Sequence, residues 1–276
     1  MPEYRPDATS FGAEYYAASC GKPYCRNKEW LGFFGGIADR IVADIRPRRV
    51  LDAGCALGLL VETLRARGVE AFGIDLSAFA ISSAAPDVAP YLKEGSISED
   101  LGARYDLIVS IEVVEHMPAA DAEAAIANFC RHSDDVLFSS SPLDYGETTH
   151  VNVRPPEYWA EQFGRHGFVR DVDFDASFIT PWAVRFRRTA EPMHRVIAGY
   201  ERQHAPLVRE RADLRARLVA LENELKRTQQ ELAATQATLA EHRDTITHME
   251  RSAFWKLRRL SVAARALIGR GPGARR

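Results

Sequence analysis

Apolar and polar positions along residues 47–190 alternate between the periods of strands and helices. Short apolar runs predict five β-strands, at 49–53, 70–74, 91–94, 105–111 and 135–139. Helical patterns separate most of these runs, notably at 57–67 and 119–131. Strands that alternate with helices indicate βαβ units and a parallel sheet. Two further candidate strands, 167–174 and 183–188, have only a short link between them, which favours an antiparallel pair at one sheet edge.

A different pattern, with a period of seven residues, begins beyond Pro192. Its apolar positions form two series whose members are spaced alternately by four and three residues, which is typical of a coiled coil. The series are Leu218, Leu225, Leu232, Leu239 and Ile246, and Leu207, Leu214, Leu221, Thr228, Thr235, His242 and Met249. Neither Pro nor Gly interrupts residues 207–250, so a helix about 65 Å long is predicted. We expect it to join copies of the chain into a homo-oligomer of undetermined strand number. The alternative is a helix folded back on the body.

These patterns divide the chain into four segments. An aromatic cap at 1–46 precedes an α/β domain at 47–190, a long helix or coiled coil at 191–250 and a basic amphipathic tail at 251–276. In the cap, Tyr16, Tyr24 and Trp30 are candidates to line a ligand pocket. Packing is the alternative role for each of them.

Composition narrows the class of protein. Hydrophobic residues make up 46% of the chain and charged residues 27%, which is typical of a globular protein. The chain lacks a run of about 18 apolar residues, and its start lacks the basic and apolar regions of a signal peptide. Four cysteines are too few for a disulfide scaffold of this length. A cytoplasmic protein is therefore expected.

The net charge of −2 conceals a strong asymmetry. Residues 251–276 contain eight basic residues and no acid, so the rest of the chain carries 28 basic residues against 38 acidic ones. Aromatic and apolar residues accompany the charge at 254–268, which favours either a helix lying on an anionic surface at the inner face of the cell membrane or docking to an acidic protein partner. Nucleic acid is less favoured.

The strongest chemical signal is a strand that enters a glycine-containing turn and then an apolar helix, over residues 50–60. The turn has the form Gly-x-x-x-Gly, and Asp52 precedes its first glycine. An acid there would repel a pyrophosphate but suits a cation, which favours S-adenosylmethionine over a dinucleotide. Asp75 lies at the end of the next predicted strand, 21 residues after Gly54, where a carboxylate can accept hydrogen bonds from ribose hydroxyls.

Residues 45–190 resemble the class I S-adenosylmethionine-dependent methyltransferases. The resemblance rests on D-A-G-C-A-L-G at 52–58, on Asp75 within G-I-D-L-S and on the segment 95–97 after the third predicted strand. It implies a doubly wound, Rossmann-like sheet of seven mostly parallel strands whose last strands are antiparallel. The cofactor-binding residues that it implies are Asp52, Gly54, Cys55, Ala56, Gly58, Asp75, Leu76, Ser96, Ile97 and Glu112.

Four titratable residues follow the fourth and fifth predicted strands, where ligands bind in open α/β sheets. They are Glu112, Glu115, His116 and His150. Methyl transfer to an alcohol requires alignment of the reactants and a general base. In the favoured interpretation, His150 or His116 is that base and Glu112 belongs to the same catalytic group, with no metal ligand assigned.

Two other interpretations of these four residues stay open. All four could hold a divalent metal, since the E-x-x-E-H run is similar to that of the small-RNA terminal 2′-O-methyltransferases. Alternatively, Glu112 only bounds the cofactor pocket, and the Glu-His pair starts a helix.

The order of segments also resembles bacterial surface-polysaccharide modification proteins, which combine such domains with helical scaffolds. This resemblance implies O-methylation of a sugar, a glycan or a similar small hydroxyl acceptor. The alternatives are a metal-assisted RNA ribose methyltransferase and a non-enzymatic scaffold that recruits partners through its coiled coil.

Overall fold

The computed structural model describes residues 6–18 and 22–268, with side chains as far as residue 264. It divides the chain into two compact units, residues 1–203 and 204–276. The sequence predictions for residues 1–5, for Cys20 and for residues 269–276 lie outside the described residues.

The helices and strands follow the predicted alternation. The strands are β1 Arg49–Ala53, β2 Glu70–Asp75, β3 Leu92–Glu94, β4 Leu107–Ile111, β5 Asp135–Ser139, β6 Phe168–Arg170 and β7 Val184–Arg188. The helices are α1 Ala13–Ala18, α2 Lys28–Arg40 with a π-helical extension Ile41–Ile45, α3 Leu59–Arg65, α4 Ala78–Ser82, α5 Ala119–His132, α6 Pro156–Arg165, α7 Met193–Arg251 and α8 Ala253–Ile268. Short 3₁₀ turns lie at Ala8–Phe11, Ala89–Tyr91 and Val114–His116.

The seven strands form one sheet in the order β3-β2-β1-β4-β5-β7-β6. Strands β1 to β5 pair in parallel, whereas β7 is antiparallel to both β5 and β6. The predicted seven-stranded, doubly wound sheet with an antiparallel edge pair is therefore confirmed. Strand β6 is shorter than the predicted 167–174, because the chain turns after Arg170 instead of extending the pairing with β7.

The strand order reverses direction between β1 and β4, and this reversal positions the site. In open α/β sheets, ligands bind outside the carboxyl ends of the strands at such a point. Asp52 lies on β1 next to Val109 of β4, and Glu112 directly follows β4. The topology alone therefore brings the two candidate segments together.

The aromatic cap packs on the body as part of the first unit. Tyr16 of α1 and Phe34 and Ile37 of α2 are buried in one cluster with residues of the sheet. The Ser77 hydroxyl also donates a hydrogen bond of 2.6 Å to the carbonyl of Phe11. The cap is thus fixed over the carboxyl ends of the strands by both packing and a hydrogen bond.

The described residues of the second unit are helical except for a bend at Ser252, between α7 and α8. The apolar side chains of the two seven-residue series on α7 are 49–62% exposed, and α8 exposes Phe254, Leu257 and Leu260 beside its basic residues. Within the described part of the chain, no helix combines the length and the apolar character that crossing a bilayer requires. Oligomerisation through residues 207–250 and surface binding through residues 251–276 stay predictions.

Candidate functional site

The turn after β1 is held against the end of β2 by backbone hydrogen bonds. The N–H groups of Gly54 and Cys55 both donate to the Ile74 carbonyl, at 2.8 and 3.1 Å. Gly54 has a φ of +87°, and a Cβ at this position would lie 2.3 Å from Cγ2 of Val113. A glycine is required here by both the left-handed backbone and the close approach of the segment after β4.

Asp75 closes the same turn through its side chain. Its Oδ2 accepts the Ala56 N–H at 2.7 Å, and its Oδ1 accepts the Ser77 N–H at 2.8 Å. Each carboxylate oxygen has a second lone pair, so the group can still accept hydrogen bonds from a ligand. Burial raises the pKa of Asp75, while the two backbone donors oppose the shift. The side chain is therefore fixed in orientation before any ligand binds.

Asp52 is a buried carboxyl at the centre of the site. Burial, with a smaller contribution from the charge of Asp75, raises the pKa of Asp52 to about 8. Among the described residues, no group donates a hydrogen bond to its side chain, and none of the ion pairs includes it. A buried carboxylate without a partner is unfavourable, so a cation bound beside Asp52 would be stabilised.

A cavity of about 450 Å³ lies above these groups. It includes every proposed cofactor-binding residue except Gly58, together with His116 and His150. Gly58 instead supports the packing beneath the turn, where a Cβ would lie 2.7 Å from Leu92. Aromatic residues of the cap also line the cavity, and these are Phe11, Tyr15, Tyr16, Tyr24, Trp30, Phe33 and Phe34.

Glu112 lies on the rim of the cavity in an unusual backbone conformation. Its φ is +53°, and its Oε1 accepts the indole N–H of Trp182 at 2.9 Å. This contact joins residues 70 positions apart, so no local sequence pattern indicates Trp182 as a partner of Glu112. The Glu112 carboxylate is directed to the indole, which makes Glu112 a wall of the pocket rather than part of a shared group with the histidines.

His116 and His150 lie side by side, with ring centroids 4.6 Å apart. His150 Nδ1 lies 2.8 Å from the carbonyl oxygen of Asp144. A carbonyl only accepts, so Nδ1 of His150 carries a proton and its Nε2 presents a lone pair. The Asp144 carboxylate is also close, with Oδ2 at 3.8 Å from the same nitrogen.

A hydrogen-bond chain fixes the other imidazole. The Thr149 hydroxyl donates to Oε1 of Glu147 at 3.1 Å, so it accepts from Nδ1 of His116 at 2.9 Å. The Nε2 of His116 faces the hydroxyl of Tyr15 at 3.4 Å. Burial, and next the charge of His150, lower the pKa of His116 to about 3, so this ring stays neutral.

Glu115 lies beneath the histidines and is fully buried. Its Oε1 accepts the Ser141 N–H at 3.1 Å, whereas its Oε2 is buried without a hydrogen-bond partner. Burial, and next the charge of Glu112, raise the pKa of Glu115 well above its usual range. Glu115, His116 and His150 offer ligand atoms within 4.8 Å of one another. Glu112, the fourth residue of the set considered from sequence, is not part of this cluster.

Comparisons with known proteins agree with this fold. Residues 34–171 match a family model described as a methyltransferase domain. A ubiquinone biosynthesis O-methyltransferase of Alkalilimnicola ehrlichii is 33% identical over 102 residues, which cover 34% of this chain and 41% of that protein. An enzyme of the same name from Burkholderia thailandensis is 31% identical over 142 residues, which cover 47% of this chain and 60% of that protein.

The structural comparison covers more of the chain. The crystal structure of magnesium protoporphyrin IX methyltransferase from Synechocystis with bound S-adenosylmethionine superposes with a TM-score of 0.52 and 18% identity. It covers 68% of this chain and 100% of that one. The curated relatives named above are matched over about half of their own length.

Proposed function

The chain belongs to the methyltransferase-domain family that residues 34–171 match, and from this premise we propose that it is an S-adenosylmethionine-dependent O-methyltransferase. The observation that carries the proposal is the pairing of two carboxyl groups, the buried Asp52 and the partly buried Asp75, with two oriented imidazoles across one cavity. The proposed acceptor is a sugar, a glycan or a similar small molecule with a hydroxyl group.

The donor half of the cavity fits S-adenosylmethionine. Asp52 is a buried acid without a partner among the described residues, and a ligand bearing ammonium and sulfonium charges would supply one. Asp75 is held by the N–H groups of Ala56 and Ser77, with lone pairs left for ribose hydroxyls. Leu76, Ser96 and Ile97 line the same end of the cavity, where they would bound the adenine. When bound, the donor supplies an electrophilic methyl group.

The acceptor half supports base catalysis by His150. Its Nε2 lone pair is available because Nδ1 donates to the Asp144 carbonyl, and the Asp144 carboxylate would stabilise the protonated ring. His116 stays neutral beside it, so the two rings do not compete for the proton. His150 would accept the hydroxyl proton at Nε2 while His116 positions the acceptor, and aromatic side chains of the cap would exclude water. We therefore propose that His150 accepts the proton and that the neutral ring of His116 positions the acceptor.

Relatives named as ubiquinone biosynthesis O-methyltransferases suggest a phenolic acceptor as the rival within the same reaction class. A phenol ionises near pH 10 and depends less on a general base than an aliphatic hydroxyl does. The base that Asp144 orients here therefore supports the sugar-type acceptor. The aromatic cap would stack on either kind of ring.

Calorimetric titration with S-adenosylhomocysteine is the first test of the proposal. We expect saturable binding by the intact chain, strong weakening in Asp75→Asn, and unchanged binding in the matched exposed control Asp87→Asn. Transfer of a labelled methyl group to nucleotide sugars and glycosides, compared with catechols, then tests the acceptor class. Absence of binding by the intact chain would favour the non-enzymatic scaffold, and transfer to catechols alone would replace the sugar assignment.

A second candidate, metal-assisted methylation of a ribose hydroxyl in RNA, draws support from the unpartnered Oε2 of Glu115 beside His116 and His150. One carboxylate and two imidazoles suit Mg²⁺, Mn²⁺ or Zn²⁺ by ligand type. Their ligand atoms all lie within 4.8 Å of one another. Nδ1 of His150 is already engaged by the Asp144 carbonyl, which orients the ring as a base without a metal, so the metal-free base mechanism is preferred.

Chelation separates these two candidates. We expect methyl transfer to be unchanged after dialysis against EDTA, because the proposed proton acceptor is the imidazole of His150 rather than a metal-polarised hydroxyl. The measurement is turnover before dialysis, after dialysis, and after addition of Mg²⁺, Mn²⁺ or Zn²⁺ in turn. Loss of turnover that one of these ions restores would establish metal assistance and favour the second candidate, and a ribose acceptor would then be tested first.

A further inference from the structure

Residues 207–250 of α7 carry an apolar stripe that the described structure leaves exposed. The larger apolar side chains of the two seven-residue series are each 49–62% exposed. They are Leu207, Leu214, Leu218, Leu221, Leu225, Leu232, Leu239, Ile246 and Met249. A single helix cannot bury a stripe of this length by itself, and such a stripe is normally covered by another helix.

The stripe is narrow, which sets the number of helices that can cover it. The series that contains Leu218 occupies the a positions of the heptads, and the series that contains Leu221 occupies the d positions. The flanking e and g positions between 210 and 250 are all polar. Larger bundles bury part of the e and g positions as well, so polar residues there favour two helices.

The charges at these flanking positions select a partner and a direction. In a parallel, in-register pair, each g residue faces the e residue five positions later on the other helix. This register pairs Glu210 with Arg215 and Arg217 with Glu222 of the second copy, both with opposite charges. Each of the other g and e pairs up to residue 250 contains an uncharged residue, so no like charges meet.

We propose that residues 207–250 form a parallel, two-stranded coiled coil with a second copy of this chain. Burial of the Leu, Ile and Met side chains supplies the affinity. The exposed ion pairs contribute little free energy and instead fix register and direction. Thr228, Thr235 and His242 occupy three consecutive d positions, so the apolar contact is weakest in the second half of the repeat. The inference does not depend on the proposed methyl transfer.

Light scattering coupled to size exclusion tests the number of chains. We expect the intact chain to have twice its monomer mass of 30.8 kDa, and Leu218→Glu/Leu225→Glu to return to the monomer mass. The matched control is Asn223→Glu/Gln230→Glu, which adds the same two charges at the outer f positions and should remain dimeric. An unchanged near-ultraviolet circular dichroism spectrum, which reports on aromatic residues that lie mostly in the first unit, would show that this unit stays folded in all of these proteins. A monomeric or trimeric intact chain would overturn the proposal.

Disulfide crosslinking tests the direction of the helices. With Cys20 and Cys25 replaced by serine, Leu214→Cys should crosslink to itself on mild oxidation, because a parallel pair brings the two 214 positions together. Asn223→Cys, on the outer face, should not crosslink. Crosslinking between a Leu214→Cys chain and an Ile246→Cys chain, without self-crosslinking of either, would show an antiparallel pair and overturn the proposed direction.

Discussion

Replacing His150 by alanine is expected to lower kcat for methyl transfer by roughly two to four orders of magnitude, the usual contribution of a positioned general base. The carbonyl of Asp144 holds Nδ1 of His150, so the Nε2 lone pair is directed to a potential acceptor at no further conformational cost. His116 is not expected to substitute, because its burial, the largest cause of its lowered pKa, persists in the variant. The measurement is single-turnover transfer to the acceptor identified in the labelled-methyl screen.

Two controls make the His150→Ala experiment specific. His166→Ala removes an exposed histidine at the end of α6 and should leave kcat unchanged. Added imidazole should restore part of the activity of His150→Ala, because it can occupy the vacated space and accept the proton. Affinity for S-adenosylhomocysteine should be preserved, since the donor end is formed by other residues. Turnover near that of the unmodified chain in His150→Ala would exclude the base role.

Replacing Asp52 by asparagine is expected to have opposite effects on stability and on donor binding. Burial raises the pKa of Asp52 to about 8 in the folded chain, whereas an unfolded chain releases this proton near pH 4. Between pH 4 and pH 8 the unfolded state binds fewer protons than the folded state. As the pH rises through this interval, Asp52 therefore lowers the free energy of unfolding of the donor-free protein by about 1.4 kcal/mol per pH unit. Asparagine does not titrate, so the free energy of unfolding of the variant should not fall with pH for this reason.

Melting temperatures at pH 5, 6, 7 and 8 measure the first effect. Asp52→Asn should be increasingly more stable than the unmodified chain as the pH rises, whereas the exposed control Asp87→Asn should follow the unmodified chain. Donor affinity should fall roughly 10- to 100-fold in Asp52→Asn, in line with loss of one interaction to a charged group. Parallel melting curves for Asp52→Asn and the unmodified chain, or unchanged affinity, would contradict the assignment.

The sequence was sufficient to predict the sheet and the proximity of the residues proposed to bind the donor, because both depend on local patterns. Strand and helix periods are set by neighbouring residues, and the acid and glycine positions of the first turn lie within a few residues of one another. Asp52, Gly54 and Asp75 accordingly lie together as expected. Gly58 lies in the same motif, but its function in the structure is packing beneath the turn. Motif membership alone does not distinguish a contact with ligand from a contact with the core.

The acceptor end was less predictable because its contacts span long stretches of sequence. Thr149 fixes His116 across 33 residues, and Trp182 binds Glu112 across 70. The local sequence around Thr149 or Trp182 contains no pattern that indicates a hydrogen bond to such a distant residue. Grouping Glu112 with the histidines was reasonable from spacing alone, but the indole of Trp182 directs its carboxylate away from that group. The candidate residues are therefore recognisable from local sequence, whereas the contacts that orient them form only in the folded chain.

Ala56 and Glu112, which both line the cavity, have left-handed backbone conformations, with φ of +46° and +53°. A residue other than glycine in this conformation destabilises the fold by on the order of 1–3 kcal/mol, so the surrounding contacts must hold the backbone in place. Over evolutionary time, glycine is the replacement that relaxes the backbone at position 56, whereas a β-branched residue at either position would be selected against. Sequence change at positions 56 and 112 is thereby limited by backbone geometry as well as by the ligand. Relatives that bind other acceptors would be expected to differ first in the cap and in the segment before His150.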